Sequence, residues 1–120
     1  MEGNKKVIYI AGAITGVKNY WEEFDRYDDA LRAMGYNTLV PSHLPSGLEK
    51  NQYMRICFAM IDSADAVVFL SNWQDSHGAV LEHYYCTYTG KPAITPPTGP
   101  DVKPYWLRET LEEALGGGNA

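Results

Sequence analysis

The sequence is poor in cysteine and in positive charge. Cys57 and Cys86 are the two cysteines in 120 residues, and their spacing fits neither a CxxC motif nor a disulfide framework. We expect two buried thiols in a reducing compartment. The net charge is −5, without a basic stripe, which argues against a nucleic-acid polymer as partner. A nucleotide monomer stays possible because backbone N–H groups can hold a phosphate.

Long apolar runs are also lacking. No stretch approaches the roughly 20 apolar residues of a membrane span. The apolar start over residues 7–14 is short and interrupted by glycine, unlike a signal peptide. We therefore expect a cytoplasmic protein with no membrane partner. The length predicts one domain over residues 1–120, with 116–120 as a frayed tail and no need for a disulfide or metal.

Apolar patterning predicts strands that alternate with helices. Short β-branched runs indicate strands, and apolar residues at three- and four-residue steps indicate helices. This order predicts an α/β fold with a parallel sheet and right-handed crossovers. The predicted strands cover 6–11, 37–40, 66–70 and 93–95, and the predicted helices cover 20–34, 53–61, 78–89 and 105–115.

The predicted third helix, 78–89, has large apolar residues on one side. These are its apolar positions, and we expect its tyrosines to make core or subunit contacts rather than ligand walls. The positions are Val80, Leu81, Tyr84, Tyr85 and Tyr88.

The first strand is followed by AGAITG, residues 11–16. Its two glycines allow backbone N–H groups to approach a phosphate or sugar. The spacing is neither GxGxxG nor GxxxxGK[ST], so no dinucleotide or P-loop motif is present. A plain tight turn explains the loop equally well. The candidate binding positions here are Gly12, Ile14, Thr15 and Gly16.

The third strand is followed by NWQDSHGAVLEH, residues 72–83. Asp75 or Ser76 is suited to cap the next helix, and Gly78 leaves room for a ligand against the backbone. Glu82 lies one turn after Gly78 on the same face. From spacing alone, an exposed or salt-bridged glutamate competes with a nucleophile or a sugar-binding group.

Several other side chains have two interpretations. Trp73 could stack on a base or form a hydrophobic plug under the loop. His77 is expected in solvent, with ligand contact as the alternative, and the three histidines have no metal-site spacing. Asp62 and Asp65 are expected to stabilise a helix-to-strand turn by bonding nearby backbone N–H groups, with a pair of functional acids as the alternative.

Four segments resemble the nucleoside 2-deoxyribosyltransferase-like superfamily. They are YIAGAITG (9–16), Asn19 with Phe24, the DSAD turn (62–65) before AVVFL, and NWQDSHGAVLEH (72–83). The resemblance covers about residues 7–94 and is strongest to the small DUF4406 branch. It implies a flavodoxin- or Rossmann-like three-layer sandwich with four to five parallel strands.

The resemblance also implies site roles. Glu82 would be the glycosidic nucleophile, and Ser76 matches a serine that contacts a 5′-phosphate in the related monophosphate glycosidases. Tyr9 and Gly12 match positions lining the sugar and base pocket. Two positions depart from the family: Gly12-Ala13 replaces a usual Gly-Pro, and Cys57 occupies the place of a frequent aspartate. A neutral thiol cannot replace a carboxylate.

These observations predict an N-glycosidase or deoxyribosyltransferase acting on a nucleoside or a nucleoside 5′-monophosphate. No metal or organic cofactor is expected. A nucleotide-binding protein without turnover, favoured by Cys57, is one alternative, and a glycosidase for NAD or ADP-ribose-like molecules is another. The aromatic-rich helices predict a homo-oligomer, either a dimer or a tetramer.

Overall fold

The fold is built on four parallel strands. The structure, a computed structural model, describes residues 5–97 and 106–116. The strands lie in the order β2-β1-β3-β4. Tyr9, in the middle of β1, pairs with Leu39 on one side and Val67 on the other. The strands are β1 (Val7–Ala11), β2 (Asn37–Leu39), β3 (Ala66–Phe69) and β4 (Ala93–Ile94).

Helices follow each strand, as the pattern predicts. They are α1 (Trp21–Ala33), α2 (Lys50–Ser63), α3 (His77–Thr89) and α4 (Leu107–Ala114). α2 begins three residues earlier than predicted because Glu49 and Gln52 form a capping box at its start. The residues predicted to start the last helix and most of the predicted tail lie outside the described residues. Within the described part, no helix combines the length and apolar character required to cross a membrane.

Two hydrophobic cores lie on opposite faces of the sheet. Side chains alternate along β1, so Ile8 and Ile10 join one core while Tyr9 and Ala11 join the other. The first core packs against α1 and α4, and the second against α2 and α3. Both cysteines are buried and free in the second core. The three-layer α/β prediction is therefore confirmed, with four strands.

The face that α3 buries is not the one that carries its large apolar residues, so the core alternative does not apply to Tyr84 and Tyr88. The helix buries its Ala79, Glu82 and Cys86, and only Tyr85 of the predicted set is partly buried, stacked on Phe58. The small residues let α3 approach the sheet, and a buried partner exists for Glu82, as described below. The apolar positions that are exposed are Val80 (39%), Leu81 (54%), Tyr84 (74%) and Tyr88 (88%).

The strand order places a crevice between two loops. From β1 the chain moves to one edge of the sheet through β2, and β3 leads to the other edge through β4. In parallel sheets, ligands bind beyond the carboxyl ends of strands where the order reverses. Here that point lies between β1 and β3. The loops that border it are residues 12–16 and 71–76.

Gly12 is needed for packing between these loops. A Cβ at this position would lie 2.6 Å from Leu70 Cδ1 and 3.0 Å from Leu70 Cβ. Leu70 is fully buried, so it has little room to shift. Gly78 differs, because a Cβ there would meet Met54 Sδ at 3.5 Å, an ordinary contact.

We expect Gly12→Ala to lower the free energy of unfolding by about 1–3 kcal/mol through overpacking. Gly78→Ala is the matched control: it should leave stability unchanged or raise it by up to about 1 kcal/mol, since alanine favours helix. Urea unfolding of both variants measures this difference. Equal stability of the two would show that Leu70 does not restrict position 12.

Candidate active site

Glu82 is a buried acid on the inner face of α3. It follows Ala79 by three residues and precedes Cys86 by four, so the three side chains point at the sheet. Glu82 is 5% exposed. A buried carboxyl group requires hydrogen-bond partners, because burial removes its hydration. The exposed or salt-bridged alternative for Glu82 therefore does not apply.

Tyr9 provides the main partner. Its hydroxyl donates a hydrogen bond of 2.7 Å to Glu82 Oε2. Tyr9 is fully buried in the central strand β1, so its ring cannot move without disturbing the sheet. The hydrogen bond joins residues 73 positions apart in sequence. It thereby fixes one carboxyl oxygen of the helix relative to the sheet.

Cys57 brings a third polar group to this point from α2. Burial raises the pKa of its thiol to about 12, so the thiol is neutral at physiological pH. Burial also raises the pKa of Glu82 to about 7, although hydrogen bonds from Tyr9 and Cys57 lower it in part. The pKa of Tyr9 is raised well above its usual value by burial and by the nearby Glu82.

These values define what the cluster can do. With a pKa of about 7, Glu82 is close to half ionised at neutral pH. It can therefore supply either a carboxylate nucleophile or a proton. A strongly shifted carboxyl group beside specific partners is also typical of functional sites. The position at which the family resemblance expects a second carboxylate is occupied by the neutral Cys57 thiol.

The start of α3 lies beside this cluster. Ser76 caps the helix, and its Oγ accepts a hydrogen bond of 3.1 Å from the Ala79 amide. Its hydroxyl hydrogen remains available to donate to a ligand. Asp75 lies one residue earlier at the end of a 3-10 turn and is exposed. Gly78 is in the first turn of α3 and faces Met54 of α2.

The loop after β1 approaches the loop after β3 through Asn72. Its Oδ1 accepts a hydrogen bond of 3.2 Å from the buried Ala13 amide. Thr15 and Gly16 are exposed, and Gly16 has a φ of 79°, which favours glycine. Ile14 packs on the opposite core, against α1 and α4. The structure therefore brings Gly12 to the crevice, but places Ile14 on the side away from Glu82.

Trp73 packs as a plug under the loop after β3. Its ring stacks on His83 with a centroid distance of 4.5 Å and meets the edge of Phe69 at 5.3 Å. One ring face of Trp73 is thus already occupied by a protein side chain. His77 is exposed, as expected for a solvent-facing histidine. Sequence reasoning missed His83 because it considered only metal spacing for this residue.

Tyr53 is a second residue that the sequence analysis did not single out. Its hydroxyl donates a hydrogen bond of 3.2 Å to the carbonyl of Pro41, which follows β2. Burial and the nearby Cys57 and Glu82 raise the pKa of Tyr53. Tyr53 therefore connects the loop after β2 to the acidic cluster. Its distance of four residues from Cys57 on α2 is the signal that could have identified it.

The two expected turn acids have structural partners. Asp65 Oδ2 accepts a hydrogen bond of 2.8 Å from the Val7 amide, which ties β1 to the start of β3. Asp62 Oδ1 accepts one of 2.6 Å from the Tyr85 hydroxyl. Both lie at the amino ends of the strands, away from the crevice. Neither acid bonds a nearby backbone N–H group as expected: the partner of Asp62 is a side chain of α3, and the partner of Asp65 is a backbone N–H group of another strand.

Two shallow depressions open on the surface. One, of about 330 Å³, lies at the amino ends of the strands near Lys91. The other, of about 320 Å³, lies on the α1 side of the crevice and includes Asn72. Glu82 lines neither of them. Over residues 5–97 and 106–116, no group of three or more His, Cys, Asp or Glu side chains could hold a metal ion.

Comparison with known proteins agrees with this architecture. The family model described as "Domain of unknown function (DUF4406)" matches residues 6–95. The chain belongs to this family. A solved structure of a 2-desoxiribosyltransferase from Leishmania mexicana is similar, with 20% sequence identity and a TM-score of 0.63. The match covers 78% of this chain and 65% of that one, and it supports the shared fold.

No curated protein matches the sequence significantly. The DUF4406 chain spans 65% of the length of the transferase structure. The sequence-based family assignment is confirmed. The roles of individual site residues remain predictions.

The burial of Glu82 predicts a pH-dependent gain in stability for Glu82→Gln. A pKa raised from 4.5 to about 7 means that the folded state holds this proton more tightly than the unfolded state. Glu82 therefore causes no loss of stability below pH 4.5, a growing loss between pH 4.5 and 7, and the full loss above pH 7. The full loss corresponds to about 3 kcal/mol.

We expect Glu82→Gln to raise the free energy of unfolding by up to about 3 kcal/mol at pH 8 and by much less at pH 4.5, because glutamine keeps the Tyr9 bond without a charge. Urea unfolding at both pH values measures this. The exposed Glu22→Gln is the control and should show no such trend. A Glu82→Gln effect independent of pH would contradict the raised pKa.

Proposed function

We propose that this protein cleaves the N-glycosidic bond of a nucleoside or a nucleoside 5′-monophosphate, with Glu82 as nucleophile. The observation that carries the proposal is the buried Glu82 carboxyl group, which Tyr9 orients with a 2.7 Å hydrogen bond near the switch point of a parallel sheet. The family membership and the fold of a 2-desoxiribosyltransferase support it.

The reaction would proceed in two displacements. A Glu82 oxygen forms a bond to C1′ while the bond from C1′ to the base nitrogen breaks, and the base leaves with that electron pair and takes a proton from water. Water then attacks C1′ and gives up a proton. The bond from C1′ to Glu82 breaks, which frees the sugar and regenerates the Glu82 carboxylate. A second base in place of water would make the same chemistry a transfer.

Tyr9 would act as a positioning residue. Its hydrogen bond fixes Oε2, which restricts the Glu82 side chain to the rotamer that makes this bond. The same bond lowers the pKa of Glu82 against the effect of burial and thus raises the ionised fraction at neutral pH. A hydrogen bond to a charged group contributes about 1.5–3 kcal/mol, and positioning that supplies this much in the transition state corresponds to roughly 10- to 100-fold in rate.

The crevice also suggests how a 5′-monophosphate would be held. The first turn of α3 has free backbone N–H groups that favour an anion, and the Ser76 hydroxyl can add a hydrogen bond. Backbone groups of Gly12 and of the exposed Thr15 and Gly16 border the same crevice. Because Glu82 is 5% exposed, substrate entry requires the bordering loops to move away from α2 and α3. Trp73 would then contact the base with the ring face opposite His83.

The test is to incubate the protein with a panel of deoxynucleoside 5′-monophosphates, nucleosides and NAD. Chromatography detects any free base that is released. We expect release from at least one monophosphate or nucleoside, with a loss of at least about 10³-fold in kcat for Glu82→Gln. Glu22→Gln, an exposed glutamate on α1, is the matched control and should keep full activity. Equal activity of Glu82→Gln and wild type would remove Glu82 from the mechanism.

The pH profile gives a second prediction. Because the nucleophile must be ionised, kcat/KM should rise with pH through a midpoint near 7, the pKa of Glu82. In Tyr9→Phe, the bond that lowers this pKa is lost, so the midpoint should move to higher pH and kcat should fall about 10- to 100-fold. A lower kcat with an unmoved midpoint would contradict the direct role of the Tyr9 hydroxyl.

Cys57 favours one alternative, a nucleotide-binding protein without turnover. The neutral thiol lies beside Glu82 where related sequences often carry aspartate, so a second carboxylate is lacking at the reacting centre. The panel separates the two functions: thermal stabilisation by a ligand without base release supports binding alone. In that case Cys57→Asp should confer base release and Cys57→Ser should not. Base release from NAD alone would favour the third hypothesis, an NAD-type glycosidase.

A further inference from the structure

The 3-10 turn Pro41–His43 brings an unpaired hydroxyl to the crevice edge of the sheet. The turn follows the end of β2, so it lies at the carboxyl ends of the strands, where ligands bind. Within the described part of the chain, Ser42 Oγ is buried and has no hydrogen-bond partner. Buried side-chain hydroxyls are nearly always paired, and an exception requires an explanation. A ligand group that reaches this turn would provide the missing partner.

Tyr53 of α2 connects this turn to the surroundings of Glu82. Its hydroxyl donates a hydrogen bond of 3.2 Å to the carbonyl of Pro41, the residue before Ser42. That bond uses the one hydrogen of the hydroxyl, but the oxygen can still accept. Burial raises the pKa of Tyr53, and so do nearby groups that include Cys57 and Glu82. Because Tyr53 is only half-buried, a ligand can reach it.

We propose that the hydroxyls of Tyr53 and Ser42 bind the 3′-hydroxyl of the substrate sugar and thereby determine which sugars the site accepts. This contact rests on the proposed function, in which C1′ of the sugar lies at the Glu82 carboxyl group and the 5′ end lies at Ser76. The edge of the ring formed by C2′ and C3′ then faces α2, which packs beside α3.

Two residues of α2 follow this edge of the ring. Cys57 donates a hydrogen bond to Glu82, so it lies beside C1′ and the adjoining C2′. Tyr53 is one turn away on the same face, about 6 Å along the helix axis, in the direction of C3′ and its hydroxyl. A thiol is a weak hydrogen-bond partner, so Cys57 contributes little to the binding of a hydroxyl. Tyr53 is the residue on this face that can bind one well.

The hydroxyls of Tyr53 and Ser42 complement a sugar hydroxyl. The Tyr53 oxygen accepts its hydrogen, and Ser42 donates to its oxygen, which pairs the hydroxyl that the fold leaves without a partner. A site built to bond a hydroxyl rejects the analogue that lacks it, because the polar groups of the site then stay unpaired. A nucleotide inside a polymer has no hydrogen on its 3′ oxygen. The contact therefore selects free nucleosides and monophosphates.

The test measures binding by isothermal titration calorimetry in a Glu82→Gln background, in which a bound substrate is not consumed. The probes are 2′-deoxynucleosides and their 5′-monophosphates, each paired with its 2′,3′-dideoxy analogue. Loss of the 3′-hydroxyl should raise Kd at least about 10-fold. Adding Tyr53→Phe should raise Kd for the deoxy probe about 3- to 10-fold, as for one lost hydrogen bond, and should change Kd for the dideoxy probe by less than about 2-fold.

Tyr85→Phe is the matched control. It removes the hydroxyl of another half-buried tyrosine, one that bonds Asp62 away from the crevice, and it should bind every probe like the parent. Ser42→Ala should repeat the pattern of Tyr53→Phe, and urea unfolding checks that both variants are folded. If both weaken the deoxy and dideoxy probes equally, the two hydroxyls only support the turn and the proposal is wrong. An unchanged Kd for both probes would contradict it as well.

The results also separate this contact from the proposed function. If the effect of Tyr53→Phe depends on the 3′-hydroxyl but the wild type releases no base, the contact stands and the glycosidase does not. If the wild type releases base but Tyr53→Phe affects deoxy and dideoxy probes alike, the glycosidase stands and the contact does not. Failure of every probe to bind would overturn both.

Discussion

The hydrogen bond between Tyr9 and Glu82 is the constraint on which the rest of the second core depends. A carboxyl group is placed between a helix and a sheet, where it would be costly without a partner. Tyr9, fully buried in the central strand, provides that partner at 2.7 Å. This contact requires the face of α3 that carries Glu82 to point towards the sheet. It also explains why the small residues Ala79 and Cys86 flank Glu82 on the inner face.

The same contact links stability to chemistry. Burial holds the pKa of Glu82 near 7, so the folded protein carries a group that would be more stable without its charge. Such a cost is typical of functional positions, where a local rule of stability is broken. Cys57 limits the effect because a neutral thiol adds no second negative charge beside Glu82. An aspartate at that position would raise the pKa of Glu82 further.

Much of the fold could be predicted from the sequence, because it depends on local patterns. The β-branched run 66–70 and the helical spacing of Phe24, Tyr27 and Leu31 specify elements that the structure contains. The capping role of Ser76 also depends on neighbours within one turn. The face of α3 could not be predicted in this way. Its orientation depends on a tyrosine 73 residues away, and periodicity alone placed the larger apolar residues inside.

The candidate site likewise combines residues that the sequence identifies with residues that only the fold brings together. Motif spacing identifies Glu82 and Gly12 as candidates. Tyr53 of α2 contacts the loop after β2, and Asn72 joins the loops after β1 and β3; such contacts appear only when the chain is folded. The packing reason for Gly12 is of the same kind, since Leu70 approaches it from the end of another strand.

The bond from the Ala13 amide to Asn72 Oδ1 makes the two loops at the switch point a single mechanical unit. Ala13 is buried, so its N–H group has no ready access to water if Asn72 withdraws. Separation of either loop alone would leave that donor unsatisfied, at a cost of about 1–3 kcal/mol. Motion at this edge is therefore cheapest when both loops swing together, carrying the cap of α3 with them.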